Sequence, residues 1–328
     1  SGADTIKGGG GDDLIDARAG ADSILGGLGN DTIVSGAGMD SIDGGGDFDT
    51  VDYSAEATAI SITFNSNNTL ASTLLLASGN DTLKNVEAIR GGAGDDKVIG
   101  NGVDNLFVGN GGNDTLIGGD GNDTIAGGLG QDSLVGGAGV DTVDYSSAVS
   151  SVIVNLGTGS ATVTEGFTPI AETAAGFENV IGSIGADSIT GSGVANSLFG
   201  GGGVDTMDGA GGNDTLDGSG DFAADVLIGG AGNDRYVIEW SGSAWDTVNE
   251  ASAAGGTDTV ELKLGYTYYN GASNYILGAN IENADLNATN AYYYGTYATV
   301  GNDLANVIKV IGNAAYSYSY ASYRLYGG

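Results

Sequence analysis

The chain of 328 residues contains no cysteine, no histidine and only one proline, and its nine lysine and arginine residues face 42 aspartate and glutamate residues. The missing cysteine excludes a disulfide framework, and the joint absence of cysteine and histidine disfavours a zinc site. Without histidine, neither a Ser-His-Asp triad nor an HExxH zinc-protease helix can form. The formal net charge of −33 argues against a nucleic-acid partner. No run of eighteen apolar residues occurs, so we expect no transmembrane segment.

Glycine is abundant instead, with 63 residues, many of them in a nine-residue repeat with the template Gly-Gly-x-Gly-x-Asp-x-apolar-x. In the first block the acid recurs at Asp4, Asp13, Asp22, Asp31, Asp40 and Asp49, and the apolar position holds Ile6, Ile15, Ile24, Ile33, Ile42 and Val51. Glycine at three positions of nine breaks helices and long strands and supplies the positive φ angles of tight turns. We therefore predict a six-residue turn that leads into a three-residue strand with one inward apolar side chain.

The template returns in two further blocks, with a larger period of about 91 residues. The second block has Asp96, Asp114, Asp123, Asp132 and Asp141, and the third has Asp187, Asp205, Asp214, Asp225 and Asp234. Asn105, Asn196 and Asn306 take the place of the acid. The predicted domains are repeat blocks at 1–52, 91–144 and 182–238, β inserts at 53–90 and 145–181, a tyrosine-rich β segment at 239–300, and resumed, atypical repeats at 301–328.

This nonapeptide resembles the GGxGxDxUx repeat, with U apolar, of the RTX (repeat-in-toxin) calcium-binding proteins. The resemblance implies an all-β fold, a parallel β-roll or β-solenoid in which two nonapeptides form one coil. It also implies calcium binding and type I secretion to the outside of the cell or its surface. Because the chain starts and stops inside a repeat, we expect it to be a piece of a longer array.

If two nonapeptides form one coil, as in that family, acids eighteen residues apart stack in one column, with Asp31 between Asp13 and Asp49. Adjacent strands lie about 4.8 Å apart, where two unscreened carboxylates repel by roughly 3 to 4 kcal/mol at an effective dielectric near 20. Calcium suits such a column because it accepts six to eight hard oxygen ligands in flexible geometry. We predict about ten Ca²⁺ ions, held by the acids of all three blocks and by turn glycines, among them Gly9, Gly11, Gly27, Gly29, Gly36, Gly38, Gly119, Gly121, Gly128 and Gly130. At the three Asn-bearing repeats we expect a weakened or missing site.

Calcium is also expected to be coupled to folding. One buried apolar side chain per nonapeptide stabilises the fold by less than the cost of ordering nine residues. We therefore expect a chain that is largely disordered without calcium and rigid with it.

The carboxy-terminal third departs from the repeat. The segment from Asp246 to Tyr269 predicts paired strands around a Gly-Gly turn. Of the 16 tyrosines, 13 lie between Tyr266 and Tyr326, including Tyr292, Tyr293, Tyr294, Tyr316, Tyr318 and Tyr320. These tyrosines fit either cross-strand ladders that stiffen the solenoid or an exposed face that binds carbohydrate or another subunit.

Two classes of function remain for a chain that we expect not to be an enzyme. The first is an extracellular structural or adhesive component of a surface layer or filament, with self-association and a possible cell-surface polysaccharide as partner. The second is the calcium-dependent folding and secretion module of a larger type I-secreted enzyme or toxin. Paired acids such as Asp12-Asp13 and Asp95-Asp96 could serve a glycosidase, but their place in the turns argues against it.

Overall fold

The structure, a computed structural model, describes residues 2–66, 68, 70–77, 79–221, 223–239, 246–250, 255–263, 272–276, 280–287, 296–300, 307–311 and 324–326. These residues form 33 β-strands, and none of them lies in a helix. The predicted all-β class is therefore confirmed. The chain divides into two compact units.

The first unit comprises Ser1–Ser147 and Thr158–Phe177. Its strands are β1 (Thr5–Gly10), β2 (Leu14–Asp16), β3 (Ser23–Leu28), β4 (Thr32–Val34), β5 (Ser41–Gly46), β6 (Thr50–Asp52), β7 (Ser61–Thr63), β8 (Ser72–Leu74), β9 (Asp81–Lys84), β10 (Ala88–Arg90), β11 (Lys97–Ile99), β12 (Leu106–Gly111), β13 (Thr115–Asp120), β14 (Thr124–Leu129), β15 (Ser133–Ala138), β16 (Thr142–Asp144), β18 (Ser160–Glu165) and β19 (Thr168–Ala175). Within this unit they pair in the orders β1-β3-β5-β9-β8, β2-β4-β6-β10-β12-β14-β16 and β18-β19-β15-β13-β11-β7. Pairing is parallel except at β8–β9 and β18–β19.

The pairing register repeats every eighteen residues, so two nonapeptides form one coil of a parallel β-roll. Ile6 pairs with Ile24, and Ile15 pairs with Ile33 in the opposite sheet. Strands β2, β4 and β6 have the predicted three residues, but β1, β3 and β5 have six. The longer strands continue through the first glycines of the next turn, since these glycines pair with each other across coils.

The core is the column of apolar residues at the eighth position of the repeat. Ile15, Ile24, Ile33, Ile42 and Val51 are 0 to 6% exposed, while Ile6 is half-buried. The equivalent residues of the second block are equally buried: Val98, Phe107, Leu116, Ile125, Leu134 and Val143. Their neighbours on each strand face outward because side chains alternate along a strand.

The inserts add strands to the sheets of each unit. Ile60, Ile62 and Phe64, flanking and within β7, are buried, and Phe64 stacks on Phe107 with ring centroids 6.1 Å apart. Strands β18 and β19 form a hairpin with Gly166 and Phe167 at its tip. The predicted extra strands are thus present at 53–90 and at 145–181.

The second unit comprises Ala148–Gly157 and Glu178–Gly328. Its strands are β17 (Val152–Asn155), β20 (Asn179–Ile181), β21 (Ser188–Ser192), β22 (Ser197–Phe199), β23 (Thr206–Ala210), β24 (Thr215–Asp217), β25 (Val226–Ile228), β26 (Arg235–Glu239), β27 (Thr247–Asn249), β28 (Thr259–Lys263), β29 (Ala272–Ile276), β30 (Asn283–Asn287), β31 (Thr296–Val300), β32 (Val307–Ile311) and β33 (Arg324–Tyr326). Within this unit they pair in the orders β20-β22-β24-β26-β28-β30-β32, β17-β21-β23-β25-β27 and β29-β31-β33, and the pairing between consecutive coils is parallel.

The predicted hairpin around the Gly-Gly turn at 255–256 is wrong. Strand β27 pairs with β25 and strand β28 pairs with β26, so the two lie in different sheets. The reason is that the roll continues beyond the last nonapeptide, and successive strands of a roll lie on opposite faces. Tyr292 to Tyr294, Tyr316, Tyr318, Tyr320 and Asn306 lie outside the described residues. Nowhere among the described residues is there a helix of the length and hydrophobicity needed to span a bilayer.

Candidate metal centre

The acids at the sixth position of the repeat stand in columns, and each carboxylate binds the backbone of the preceding coil. Oδ1 of Asp31 accepts a hydrogen bond from the N–H group of Asp13 at 2.9 Å, and the N–H group of Asp31 donates to Oδ1 of Asp49 at 2.9 Å. The same contact, at 2.7 to 2.8 Å, joins Asp4 to Asp22, Asp22 to Asp40, Asp96 to Asp114, Asp114 to Asp132, Asp123 to Asp141, Asp187 to Asp205, Asp205 to Asp225 and Asp214 to Asp234. The structure therefore brings the predicted acids together, with Asp4 exposed and Asp13 half-buried.

The second carboxylate oxygen of many of these acids is buried and has no hydrogen-bond donor. These oxygens are Oδ2 of Asp13, Asp22, Asp31, Asp40, Asp49, Asp114, Asp123, Asp132, Asp214 and Asp234. A buried anionic oxygen without a donor is costly. A bound cation is the partner that fits both its charge and its position.

The first glycine of the repeat leaves room beside that oxygen. A Cβ atom on Gly8 would lie 2.6 Å from Oδ2 of Asp13 and 2.6 Å from the carbonyl oxygen of Gly26 in the next coil. Gly26 stands in the same relation to Oδ2 of Asp31 and the carbonyl oxygen of Gly44. A turn that begins with glycine thus presents a carboxylate oxygen and a backbone carbonyl oxygen around a space that a Cβ atom would occupy.

The second and fourth positions of the turn have left-handed backbone. All ten predicted turn glycines have φ between +82° and +148°: Gly9, Gly11, Gly27, Gly29, Gly36, Gly38, Gly119, Gly121, Gly128 and Gly130. Arg18, Asp47, Asn110 and Ala210 adopt φ of 67° to 75° at the same positions. Because L side chains rarely adopt this conformation, the stacked coils impose it. Carbonyl coordination by the ten glycines stays a prediction.

Without a bound cation, burial and neighbouring acids disfavour the ionised form of the carboxylates in the column. Burial raises the pKa of Asp114 and of Asp205 to about 7, and repulsion from neighbouring acids adds to this effect. Burial likewise raises the pKa of Asp49 and of Asp123 to about 6. Backbone hydrogen bonds to these carboxylates act in the opposite direction and do not cancel the shift. At neutral pH the ionised column therefore requires a countercharge.

The donor set fits calcium. The turns offer carboxylate and carbonyl oxygens, which are the hard ligands that Ca²⁺ accepts in flexible geometry. Magnesium would demand a tighter octahedron and would keep several waters. Zinc would favour nitrogen or sulfur ligands, and the chain has neither histidine nor cysteine.

In four of the described turns, which we call closed turns, the side chain of the sixth residue accepts a hydrogen bond from the backbone of its own turn. In each, the N–H group of the second residue donates to the side-chain oxygen of the sixth. These contacts join Gly92 to Asp96 at 2.9 Å, Asn101 to Asn105 at 3.2 Å, Ser183 to Asp187 at 2.6 Å and Ser192 to Asn196 at 2.7 Å. All four belong to the first two repeats after an insert. Asp96 and Asp187, both predicted ligands, therefore differ from the other acids of the column.

The inserts explain this closure. The turn of Asp96 follows the insert rather than another glycine-rich turn, and Oδ1 of Asp96 accepts from the N–H group of Ile60 at 2.9 Å. One repeat later, Asn105 donates through Nδ2 to the carbonyl oxygen of Glu87 at 3.1 Å, and Asn196 donates to that of Glu178 at 2.8 Å. These contacts support a weakened or missing site at the Asn-bearing repeats, which stays a prediction.

Sequence reasoning missed several acids that continue the column across the inserts. Asp81 accepts from the N–H group of Asp40 through Oδ1 at 2.8 Å and from the hydroxyl group of Tyr53 through Oδ2 at 2.9 Å. Similar places are taken by Glu87, which accepts from Asp49 and Asn68; by Glu172, which accepts from Tyr145; by Asp246, which accepts from Asp225 and Glu239; and by Asp258, which accepts from Asp234. One signal was available, since the Gly-Asn-Asp-Thr at 79–82 repeats the Gly-Asn-Asp-Thr at 29–32 without the glycine pair that stands before it at 26–27.

A second ladder runs along the fifth position of the repeat. Oδ1 of Asp12 accepts from the N–H group of Asn30 at 2.8 Å, and Oδ1 of Asn30 accepts from that of Phe48 at 3.0 Å. Its hydrogen bonds run from the later coil to the earlier one, opposite to those of the sixth position. The recurring Asn or Asp before the acid was the available signal for this ladder.

A parallel β-roll with columns of buried, cation-seeking carboxylates defines a calcium-binding repeat protein. The family model for the RTX calcium-binding nonapeptide repeat matches residues 1–33, 19–51, 88–107, 108–143, 181–216 and 218–237. The chain therefore belongs to the RTX repeat proteins and binds calcium through these repeats. A search of curated proteins finds no relative that matches it.

Proposed function

We propose that the chain is an extracellular, non-enzymatic structural or adhesive component whose folding and assembly depend on calcium. The observation that carries this proposal is the column of buried carboxylate oxygens without donors, which runs through successive coils. Such a column ties the rigidity of the roll to the calcium concentration. A rod that stiffens in calcium suits a surface layer, a filament or an adhesin, and secretion through a type I system is typical of RTX repeat proteins.

The acids that could serve catalysis are engaged in the ladders. Asp12 and Asp13, adjacent in sequence, lie in different ladders: Asp12 accepts from Asn30, and Asp13 donates its N–H group to Asp31. Asp95 accepts from Asn113 at 2.7 Å, beside the closed turn of Asp96. These contacts support a structural role over a glycosidase pair.

Exposed apolar side chains at separate places in the first unit are available for assembly. Phe167 is fully exposed at the tip of the β18–β19 hairpin, and Leu28 and Leu129, at the third position of their repeats, are 67% and 63% exposed. Exposed aromatic and aliphatic side chains favour association with another copy or with a surface. A cell-surface polysaccharide is a further candidate partner.

The proposal is tested by assembly of the purified chain. Light scattering and negative-stain electron microscopy should show monomers in EDTA and filaments or layers in calcium, and Phe167→Ser should weaken assembly without changing calcium-induced β structure. A folded chain that stays monomeric in calcium at every concentration, and binds no glycan on an array, would contradict the structural role. That result would favour the alternative, a folding and secretion module of a larger enzyme or toxin.

A further inference from the structure

Three carboxylates come together beyond the regular nonapeptides, in a group we call the Asp234–Glu250–Asp258 cluster. One oxygen of each lies within 4.8 Å of the others, and all three side chains are buried. Asp234 precedes β26, Glu250 follows β27 and Asp258 precedes β28. The last family match ends at residue 237, so Glu250 and Asp258 lie outside the nonapeptide pattern.

Separate hydrogen bonds hold the side chains of Asp258 and Glu250 in the cluster. Oδ1 of Asp258 accepts from the N–H group of Asp234 at 2.8 Å, as in the regular column. Glu250 follows β27 in the opposite sheet, and its Oε2 accepts a hydrogen bond from the hydroxyl group of Tyr236 in β26. The cluster therefore adds a third carboxylate to a place where the regular column offers two.

An independent observation points to a ligand here. Asp234 is 2% exposed; its Oδ1 accepts from the N–H group of Asp214 at 2.8 Å, whereas its buried Oδ2 has no donor. A Cβ atom on Gly229 would collide with both Oδ2 of Asp234 and the hydroxyl oxygen of Tyr236. Since that hydroxyl group binds Glu250, the unpartnered oxygen faces the cluster.

The described basic side chains nearby pair with acids other than Asp234 and Asp258. Arg235 pairs with Glu261, and Lys263 pairs with Asp217 at 3.0 Å. Neither Asp234 nor Asp258 takes part in an ion pair with another described residue. Three buried carboxylates so close together are stable as anions only with a cation between them.

We propose that Asp234, Glu250 and Asp258 together bind one divalent cation, at a site that joins the last nonapeptide turn to two acids beyond the nonapeptides. Oxygen ligands within 4.8 Å of one another fit inside a calcium coordination sphere, which is about 5 Å across. The carboxylate-only donor set favours a hard cation such as Ca²⁺ over zinc or copper. Because its ligands flank β26, β27 and β28, the ion clamps the two faces of the roll where the nonapeptides end.

The number of bound ions tests the proposal on the full chain. Native mass spectrometry after calcium loading should show one ion fewer in Glu250→Gln and one fewer in Asp258→Asn. The double variant should also lose one ion in total, because both residues serve the same ion. Asp16→Asn, an exposed carboxylate paired with Arg18 at 3.6 Å, is the matched control and should keep the wild-type number. Glutamine retains an oxygen acceptor for Tyr236, so the roll should still form.

The outcomes separate this site from the calcium ladder. An unchanged ion count in both single variants, or a loss of two ions in the double variant, overturns the shared site. A wild-type chain that binds no calcium at all contradicts the shared site together with the ladder and the proposed function. If Glu250→Gln loses its β signal in circular dichroism, the test uses Glu250→Asp, which keeps the charge but shortens the side chain by one methylene group. We expect it to weaken one calcium-binding step at least tenfold, and a wild-type titration curve overturns the proposal.

Discussion

Asp31→Asn should destabilise the roll in calcium and stabilise it without calcium. Asp31 is 1% exposed, its Oδ1 accepts from Asp13, and its Oδ2 has no donor. Asparagine keeps the Oδ1 acceptor and the shape of the side chain while removing the charge. The variant thus isolates the electrostatic role of one step in the column.

The magnitude follows from the two neighbours of Asp31. Without calcium, Asp13 and Asp49 lie about one strand spacing away, so each repels Asp31 by roughly 3 kcal/mol before screening. Removing the charge should therefore stabilise the metal-free roll by a few kcal/mol. In calcium, two ions each lose one carboxylate ligand, and a tenfold loss of affinity at each costs about 3 kcal/mol in total.

The measurement is urea unfolding followed by far-UV circular dichroism. One series uses saturating calcium, and the other uses EDTA with an osmolyte that populates the folded state. Asp16→Asn is the control, because its carboxylate is exposed and lies outside the column. Equal destabilisation of Asp31→Asn in both series, or an effect no larger than that of the control, would refute the electrostatic account.

Three further predictions concern pH, glycine and asparagine. In EDTA, acid should promote β structure. Burial raises the pKa of Asp114 to about 7 and of Asp49 to about 6 from an ordinary 3.8. Protonation of these carboxylates therefore stabilises the metal-free roll fully below about pH 4, and this stabilisation is lost as pH rises through 6 to 7. In calcium the trend should invert because protons compete with the ion, and a circular-dichroism pH titration that shows one trend in both conditions contradicts this. Gly26→Ala should cost roughly 1 to 3 kcal/mol, because its Cβ collides with Asp31, whereas Gly10→Ala, with nothing within 4 Å, should change unfolding free energy by under about 0.5 kcal/mol. Asn196→Asp should cost about 1 to 3 kcal/mol by setting a carboxylate against the carbonyl oxygen of Glu178, and mass spectrometry should detect no additional ion.

The nonapeptide unit was predictable because its glycines, its acid and its apolar residue recur together along the chain. The nine-residue period, the inward Ile15 and Ile33, and the acids behind them set the register that the structure has. Each of these features depends only on residues within two consecutive nonapeptides. Local pattern therefore sufficed for the short strands and their inward side chains, whereas the parallel roll and the stacking of the acids followed from the resemblance to the RTX repeat.

The closed turns were not predictable from their own residues. Gly91 to Asp96 follows the same template as its neighbours, yet Gly92 and Gly94 lack the left-handed backbone of the other turns. A Cβ atom on either glycine would collide with residues 56–59 of the insert. The residues stacked against the turn set its backbone conformation. Only the tertiary structure shows that these residues belong to an insert and not to a preceding nonapeptide turn.

This dependence on neighbours changes what calcium does for the fold. Where one nonapeptide turn stacks on another, as at Asp13 and Asp31, the buried oxygens have no protein donor and need an ion. Where an insert intervenes, the protein supplies some of the donors, as Tyr53 does for Asp81, although Oδ2 of Asp40 still has none. We therefore expect the inserts to hold more local structure without metal than the regular coils do, and calcium to extend order from them into those coils. Because each ion needs an ordered turn on both sides, we expect such a roll to become rigid in steps along its length.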